Sequence, residues 1–242
     1  MKNLIWLLLA CFIFVNCHDD DDSPRGINSE EKFVKNIYNN ENEPIVQLSY
    51  YPDKKIQSYN LGNFFLIHFS YENDRINELF FATDNMNYEF QYDNAGNITS
   101  YSYENEVIPV EYNPAEKKYH VEYPDSNELT MYLNDAGDIK KLIYYDAIED
   151  ETNTINILFD GSKKGGLTNT NMINVHMLLV TGLPIIALYS TFMTHVPVTS
   201  LTMTETLIVY ENEYDSDGFL TQSNVIINGQ PPLELSYEYS PL

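Results

Sequence analysis

The chain has 242 residues, with 13 Lys and Arg against 36 Asp and Glu and a formal charge of -23. That length suits one domain or one elongated sheet with a sizeable core. A body this acidic repels phosphate backbones and anionic headgroups, which argues against nucleic acid and against charge-driven membrane binding, and leaves calcium, cationic partners and neutral glycans open.

The chain opens "MKNLIWLLLACFIFVNCHDDDD". Lys2 forms a one-charge leader, Leu4 to Val15 form an apolar run of twelve, and Cys17 with four aspartates ends it. The run is shorter than the roughly 20 residues a spanning helix needs, and it fits a secretory signal over residues 1–16. The two cysteines, Cys11 and Cys17, both lie in or beside this segment, so neither can staple the folded body and a role in processing is expected.

This segment resembles the start of bacterial lipoproteins, in which a signal peptidase cuts just before a cysteine whose thiol is lipidated. "LLAC" at 8–11 matches the usual box at Leu8 and Ala10 but leaves a short apolar run; "FVNC" at 14–17 departs at Phe14 and Asn16 but has the right spacing. The spacing favours Cys17 as the lipid attachment site, with Cys11 as the alternative. Asp19, Asp20, Asp21 and Asp22 look like the export signal of Bacteroidota-type lipoproteins bound for the outer face of the outer membrane. Like-charge repulsion in a solvated spacer would also account for them. The resemblance implies that the body meets the membrane only through its anchor, at ~0.8 kcal/mol per buried methylene.

Residues 17–28 read as a lipidated acidic tether, and 29–242 as a single β-rich domain. At its start Asn28 or Ser29 can cap, and Phe33, Val34, Ile37 and Tyr38 fall on one face at helical spacing, so a short N-terminal helix is expected.

Beyond it Tyr50, Tyr71, Tyr92, Tyr112 and Tyr132 recur at intervals of 21, 21, 20 and 20 residues. A fixed period of this size marks a repeated supersecondary unit. Each unit has an alternating run ending in Tyr, a polar turn, and an apolar residue that restarts the alternation, as in "FQYDNAGNI" and "MYLNDAGDI". That is the pattern of a β-hairpin. Gly96 and Gly137 stand where a positive φ is needed, and Pro52 and Pro114 preset φ after the tyrosine. The pattern resumes around Tyr214 and Tyr237. About fourteen strand candidates result, too many for a flat open sheet, so an all-β curled antiparallel sheet or barrel-like meander is expected.

Residues 165–204 contain no Asp, Glu, Lys or Arg. This uncharged crossover insertion is long enough to raise a transmembrane reading, but Gly182 and Pro184 break it and no basic flank orients it. A short helix near 171–180, ended by Gly182, within a buried crossover is expected, with an exposed patch that grips a partner as the alternative.

The Tyr-turn-Gly unit resembles the YD repeats of Rhs-type proteins, best at "YDNAG" (92–96) and "YDSDG" (214–218). The body from about 30 to 240, with its interruption after "SKKG", resembles a family of Bacteroidota lipoprotein domains of unknown function with a porin-like β-fold. That resemblance implies a curled sheet and brings no activity.

No catalytic residue is singled out. His18, His68, His120, His176 and His195 show no i, i+4 pair and no HExxH, so no metal site is expected, and His68 and His120 read as sheet-face residues. Asp215 and Asp217 read as turn formers rather than calcium ligands. No Gly-rich phosphate loop or GxSxG occurs, and no cofactor is expected. Tyr101 with Tyr103, and Tyr237 with Tyr239, lie two apart and could stack on sugars, though cross-strand packing explains them as well. The expected function is a lipid-anchored, non-enzymatic surface binding or scaffolding module with a glycan or protein ligand. The alternatives are a surface polysaccharide hydrolase using paired carboxylates, or a periplasm-facing carrier of an apolar ligand.

Overall fold

The computed structural model describes residues 32–242 apart from 63, 172–173, 183–191, 204–205, 229 and 242. Cys17 and Asp19 to Asp22 lie outside the described residues. Seventeen strands form one antiparallel sheet, with each strand paired to its neighbour in sequence except the eighth and ninth, which follow one another end to end. The ring is brought round by β1 (Phe33–Tyr38), which pairs with β2 (Pro44–Tyr50) on one edge and with the last strand, β17 (Leu233–Ser240), on the other. Opposite this seam, β8 (Glu106–Pro109) pairs with β7 (Ile98–Tyr103) while β9 (Glu111–Asn113) pairs with β10 (Lys118–Glu122). Between them the Val110 N–H reaches the Thr99 carbonyl at 2.8 Å. The result is the expected curled, nearly closed barrel-like sheet.

The N-terminal helix is not what residues 33–38 form: they are β1. A register shift between Val34 and Asn36 inserts one extra residue. It moves the inward set from a spacing of two to Val34 and Ile37, and so imitates helical periodicity.

The repeat unit is a hairpin, as the period predicted. At Tyr50, Tyr71, Tyr92 and Tyr214 the register shifts by one residue just before the turn, and the tyrosine then faces the residue that restarts the next strand. In the fifth unit Leu133, not Tyr132, takes this place opposite Ile139. Tyr132 therefore points outward, where Lys118 and Lys141 stand 5.7 and 5.5 Å from its ring centre.

The bulged unit leaves the ladder broken opposite the tyrosine. The hydroxyl of the next hairpin closes the gap. Tyr71 donates to the Ile56 carbonyl at 2.9 Å, Tyr92 donates to that of Ile76, and Tyr239 donates to that of Leu220 at 2.7 Å. Tyr50 does the same to Val34 of β1.

Inward positions are predominantly apolar, from Val46 and Leu48 of β2 to Leu235 and Tyr237 of β17, with Ser223 a buried polar exception opposite Leu235. Outward positions carry Gln47, Ser49, Glu78, Glu89 and their like. This is the reverse of a barrel that crosses a membrane, whose outer band is apolar. No described helix is long and apolar enough to cross one.

A ring of this many strands encloses more space than its own side chains fill. The crossover supplies the rest. Helix α1 (Asn174–Thr181) buries Val175, Met177, Leu178, Leu179 and Val180, which places apolar contacts all round it. It is followed by Gly182 at a φ of +59°, as the sequence predicted. Tyr123, at the far side of the barrel, donates to the Leu178 and Leu179 carbonyls at 3.3 and 3.2 Å. Helix α1 is thus an internal plug, and its lack of charge is what lets it lie there.

Candidate functional site

The plug enters and leaves the barrel through one neck. The Gly165 N–H donates to the His195 carbonyl at 2.8 Å and the Leu167 N–H to the Thr194 carbonyl at 3.0 Å, so the two limbs run side by side. Gly165 is required by this approach, since a Cβ there would sit 2.3 Å from the Thr194 oxygen.

The turn between β11 (Glu128–Leu133) and β12 (Ile139–Asp146) clamps the neck from the wall. The Asp138 carboxylate, fully buried, accepts the His195 N–H at 2.9 Å, His195 Nδ1 at 3.0 Å and the Val196 N–H at 3.1 Å. His195 Nε2 lies 2.9 Å from the Thr170 carbonyl. Both ring nitrogens thus face acceptors, the arrangement of an imidazolium. Burial alone would push this imidazole down, but the Asp138 hydrogen bond and charge, with the Thr170 carbonyl, hold it above its ordinary value. With no nitrogen left over, His195 is a clamp and not a general base.

His176 of α1 is the opposite case. The Tyr92 hydroxyl gives its proton to Ile76, so His176 Nε2, 2.8 Å away, is the donor to the Tyr92 oxygen. Nδ1 is buried without a hydrogen-bond partner. Burial pushes this imidazole down to about 3, and the ring is neutral. His68 and His120 lie on the outer face as expected, His68 stacked on Phe80 and His120 3.0 Å from the Thr130 hydroxyl.

Asp215 and Asp217 do form a turn. Asp215 accepts from the Asp217 and Phe219 N–H groups, and both carboxylates hold Lys32 at 2.8 Å. Among the described residues no three His, Cys, Asp or Glu are grouped to hold a metal. Tyr101 and Tyr237 are buried in the core, which settles those pairs as packing rather than sugar platforms.

On the outer wall Glu78 of β5 (Arg75–Phe81) stands directly across from Glu89 of β6 (Met86–Tyr92). They line a shallow groove of about 420 Å³ with Arg75, Asn77 and Gln91.

The two ends of the barrel differ in a way the linear sequence conceals. Strand alternation sends every repeat-tyrosine turn to the end where β1 begins and β17 stops, here the terminal end. Every described Lys and Arg lies in those turns, in the crossover's base or in the strand residues adjoining them. Many are occupied there. Lys55 bridges Asp53 and Asp74 and covers Tyr71, Arg75 covers Tyr92, and Lys163 covers Tyr214. The far end has carboxylates and no described cation.

That far end also carries exposed apolar side chains. Phe64 is 61% exposed, Val107 68% and Ile148 82%, and Met203, Leu207 and Leu233 join them. Of the large hydrophobic side chains exposed among the described residues, Leu158 alone lies toward the terminal end. Between the β1–β2 turn and the turn that joins β3 (Ile56–Leu61) to β4 (Phe65–Glu72) a groove of about 630 Å³ is lined by Pro44, Ile45, Leu61, Phe64, Phe192 and Leu233, with Glu43 at its lip.

No family model matches the chain. None of the curated proteins matches it either. Among solved structures it is similar to the Tc holotoxin pore of Photorhabdus luminescens carrying the mutation TccC3-D651A, at 14% identity and a TM-score of 0.29. The similarity covers 78% of this chain and 10% of that one.

Proposed function

We propose that this chain is a lipid-anchored protein of the outer membrane, anchored at Cys17, carried to the cell surface by Asp19 to Asp22, and acting there as a binding or scaffolding module. The observation that supports a module over a carrier is the plug. The barrel interior is occupied by the chain's own α1 and neck, and its buried histidines are committed to holding them. A carrier needs an apolar cavity of several hundred Å³ in that place.

The test is proteinase digestion of intact cells. The wild type is expected to be shaved and a variant with Asp19 to Asp22 replaced by alanine to be protected. Protection of both overturns surface display.

A second reading is a hydrolase of surface polysaccharide, and the facing Glu78 and Glu89 in their groove are what favour it. Hydrolysis of a glycan by the purified chain, abolished by Glu78→Gln or Glu89→Gln, would establish that reading over the first.

A further inference from the structure

The far end of the barrel joins two properties that rarely occur together on a surface with nothing to bind. It has an apolar groove with exposed neighbours, and it has carboxylates with no described Lys or Arg among them. We propose that this end is the docking face for a cationic amphipathic segment of a partner protein, a proposal that rests on the binding-module reading above.

Charge complementarity selects this occupant. Glu41, Glu43 and Asp84 are exposed on the turns around the groove. These carboxylates hold Lys or Arg of a partner while its apolar residues enter between Ile45, Leu61 and Leu233. The groove has the volume of an ordinary ligand pocket, enough for one or two anchoring side chains.

The same charges work against the other occupants. A second copy brought face to face would set carboxylates against carboxylates, and anionic lipid would be repelled for the same reason. Geometry agrees, because Lys32, the first described residue, stands at the terminal end beside Asp215, opposite the proposed docking face.

The two terms must act together. Carboxylates alone would attract any cation weakly and would be screened by salt. The groove gives the contact a register, and the acid rim selects the sign of the partner.

The experiment uses the full-length chain in detergent and fluorescent helical peptides of about 18 residues. One has Lys and Leu on opposite faces, a second replaces Leu by Ser at equal charge, and a third replaces Lys by Glu. The Lys/Leu peptide is expected to bind about tenfold or more tightly than either of the others. Phe64→Ser with Leu233→Ser, and separately Glu41→Lys with Glu43→Lys, are each expected to weaken it about tenfold. Leu158→Ser, at the other end, is expected to leave it unchanged.

Equal binding of the Lys/Ser peptide, or indifference to the groove variants, overturns the proposal. So does concentration-dependent self-association abolished by the groove variants, or binding to anionic vesicles in preference to peptide. Because the assay uses purified chain, its failure leaves surface display standing, and protection from proteinase on cells leaves the docking face standing.

Discussion

Asp138 and His195 lie 57 positions apart, and their side chains meet at 3.0 Å to shut the neck through which the plug enters the barrel. Because the folded state raises the His195 value, the pair's contribution is complete below the ordinary histidine range, about 6.5, and is lost as pH rises through the raised value. The melting temperature should therefore fall from neutral into alkaline pH. His195→Gln should flatten that limb. Asp138→Ala, which leaves the imidazolium and two buried N–H groups without their acceptor, should cost about 3 kcal/mol in denaturant unfolding.

His176 should behave in the opposite sense. Its value is lowered from 6.5 to about 3, so the unfolded chain binds the proton first and stability is lost as pH falls between those limits. Nδ1 has no acceptor waiting for a proton. His176→Gln, which keeps a donor toward Tyr92, should shift the midpoint of acid unfolding to lower pH. An unchanged midpoint would show that the carboxylates alone set it.

The tyrosine hydroxyls that bind carbonyls beside the bulges should each contribute about 1 kcal/mol. Tyr71→Phe, which strands only the Ile56 carbonyl, should cost about that much by urea titration. Tyr92→Phe should cost more, since the Ile76 carbonyl and His176 Nε2 both lose their partner. No loss in either variant would place the stabilisation in the rings rather than in the hydroxyls, and equal losses would show that the His176 bond adds nothing.

Three glycines make a graded series. A Cβ at Gly165 meets neck backbone at 2.3 Å, one at Gly218 meets nothing but requires a φ of +83°, and one at Gly161 meets nothing. Gly165→Ala should be the most destabilising, Gly218→Ala should cost about 1 kcal/mol, and Gly161→Ala should be near neutral or slightly stabilising. Thermal denaturation of the three variants checks the order.

Hairpins were legible because a bulge, a tyrosine and a positive-φ turn are all local, and each leaves its residue type in place, as at Tyr92 and Gly96. The misread start has the same local cause. The extra residue at Val34 to Asn36 produced an apolar spacing that belongs to another element. Tyr132 misled in a smaller way, since an outward tyrosine fell one position from the slot that Leu133 fills. Closure of β1 on β17 has no local signal at all.

The segregated ends show the same limit. Lysines follow the repeat turns in the sequence, at Lys55, Lys118 and Lys141, but only the alternation of strand direction gathers them on one rim. The groove at the other rim draws on β2, β3, the plug and β17, which no window along the chain brings together.

The pairing of β1 with β17 also sets the order in which an emerging chain can finish folding. Asn36 and Glu238 bond across 202 positions, so the first strand keeps one edge bare until the last strand has been delivered. Local hairpins form as they arrive, but the ring cannot be locked early. A polypeptide cut short by even its final strand would have two unpaired edges, on β1 and on β16 (Leu220–Ile227). Crowded neighbours in that condition would zip edge to edge, so quality control of this protein amounts to a check on the eight residues of β17.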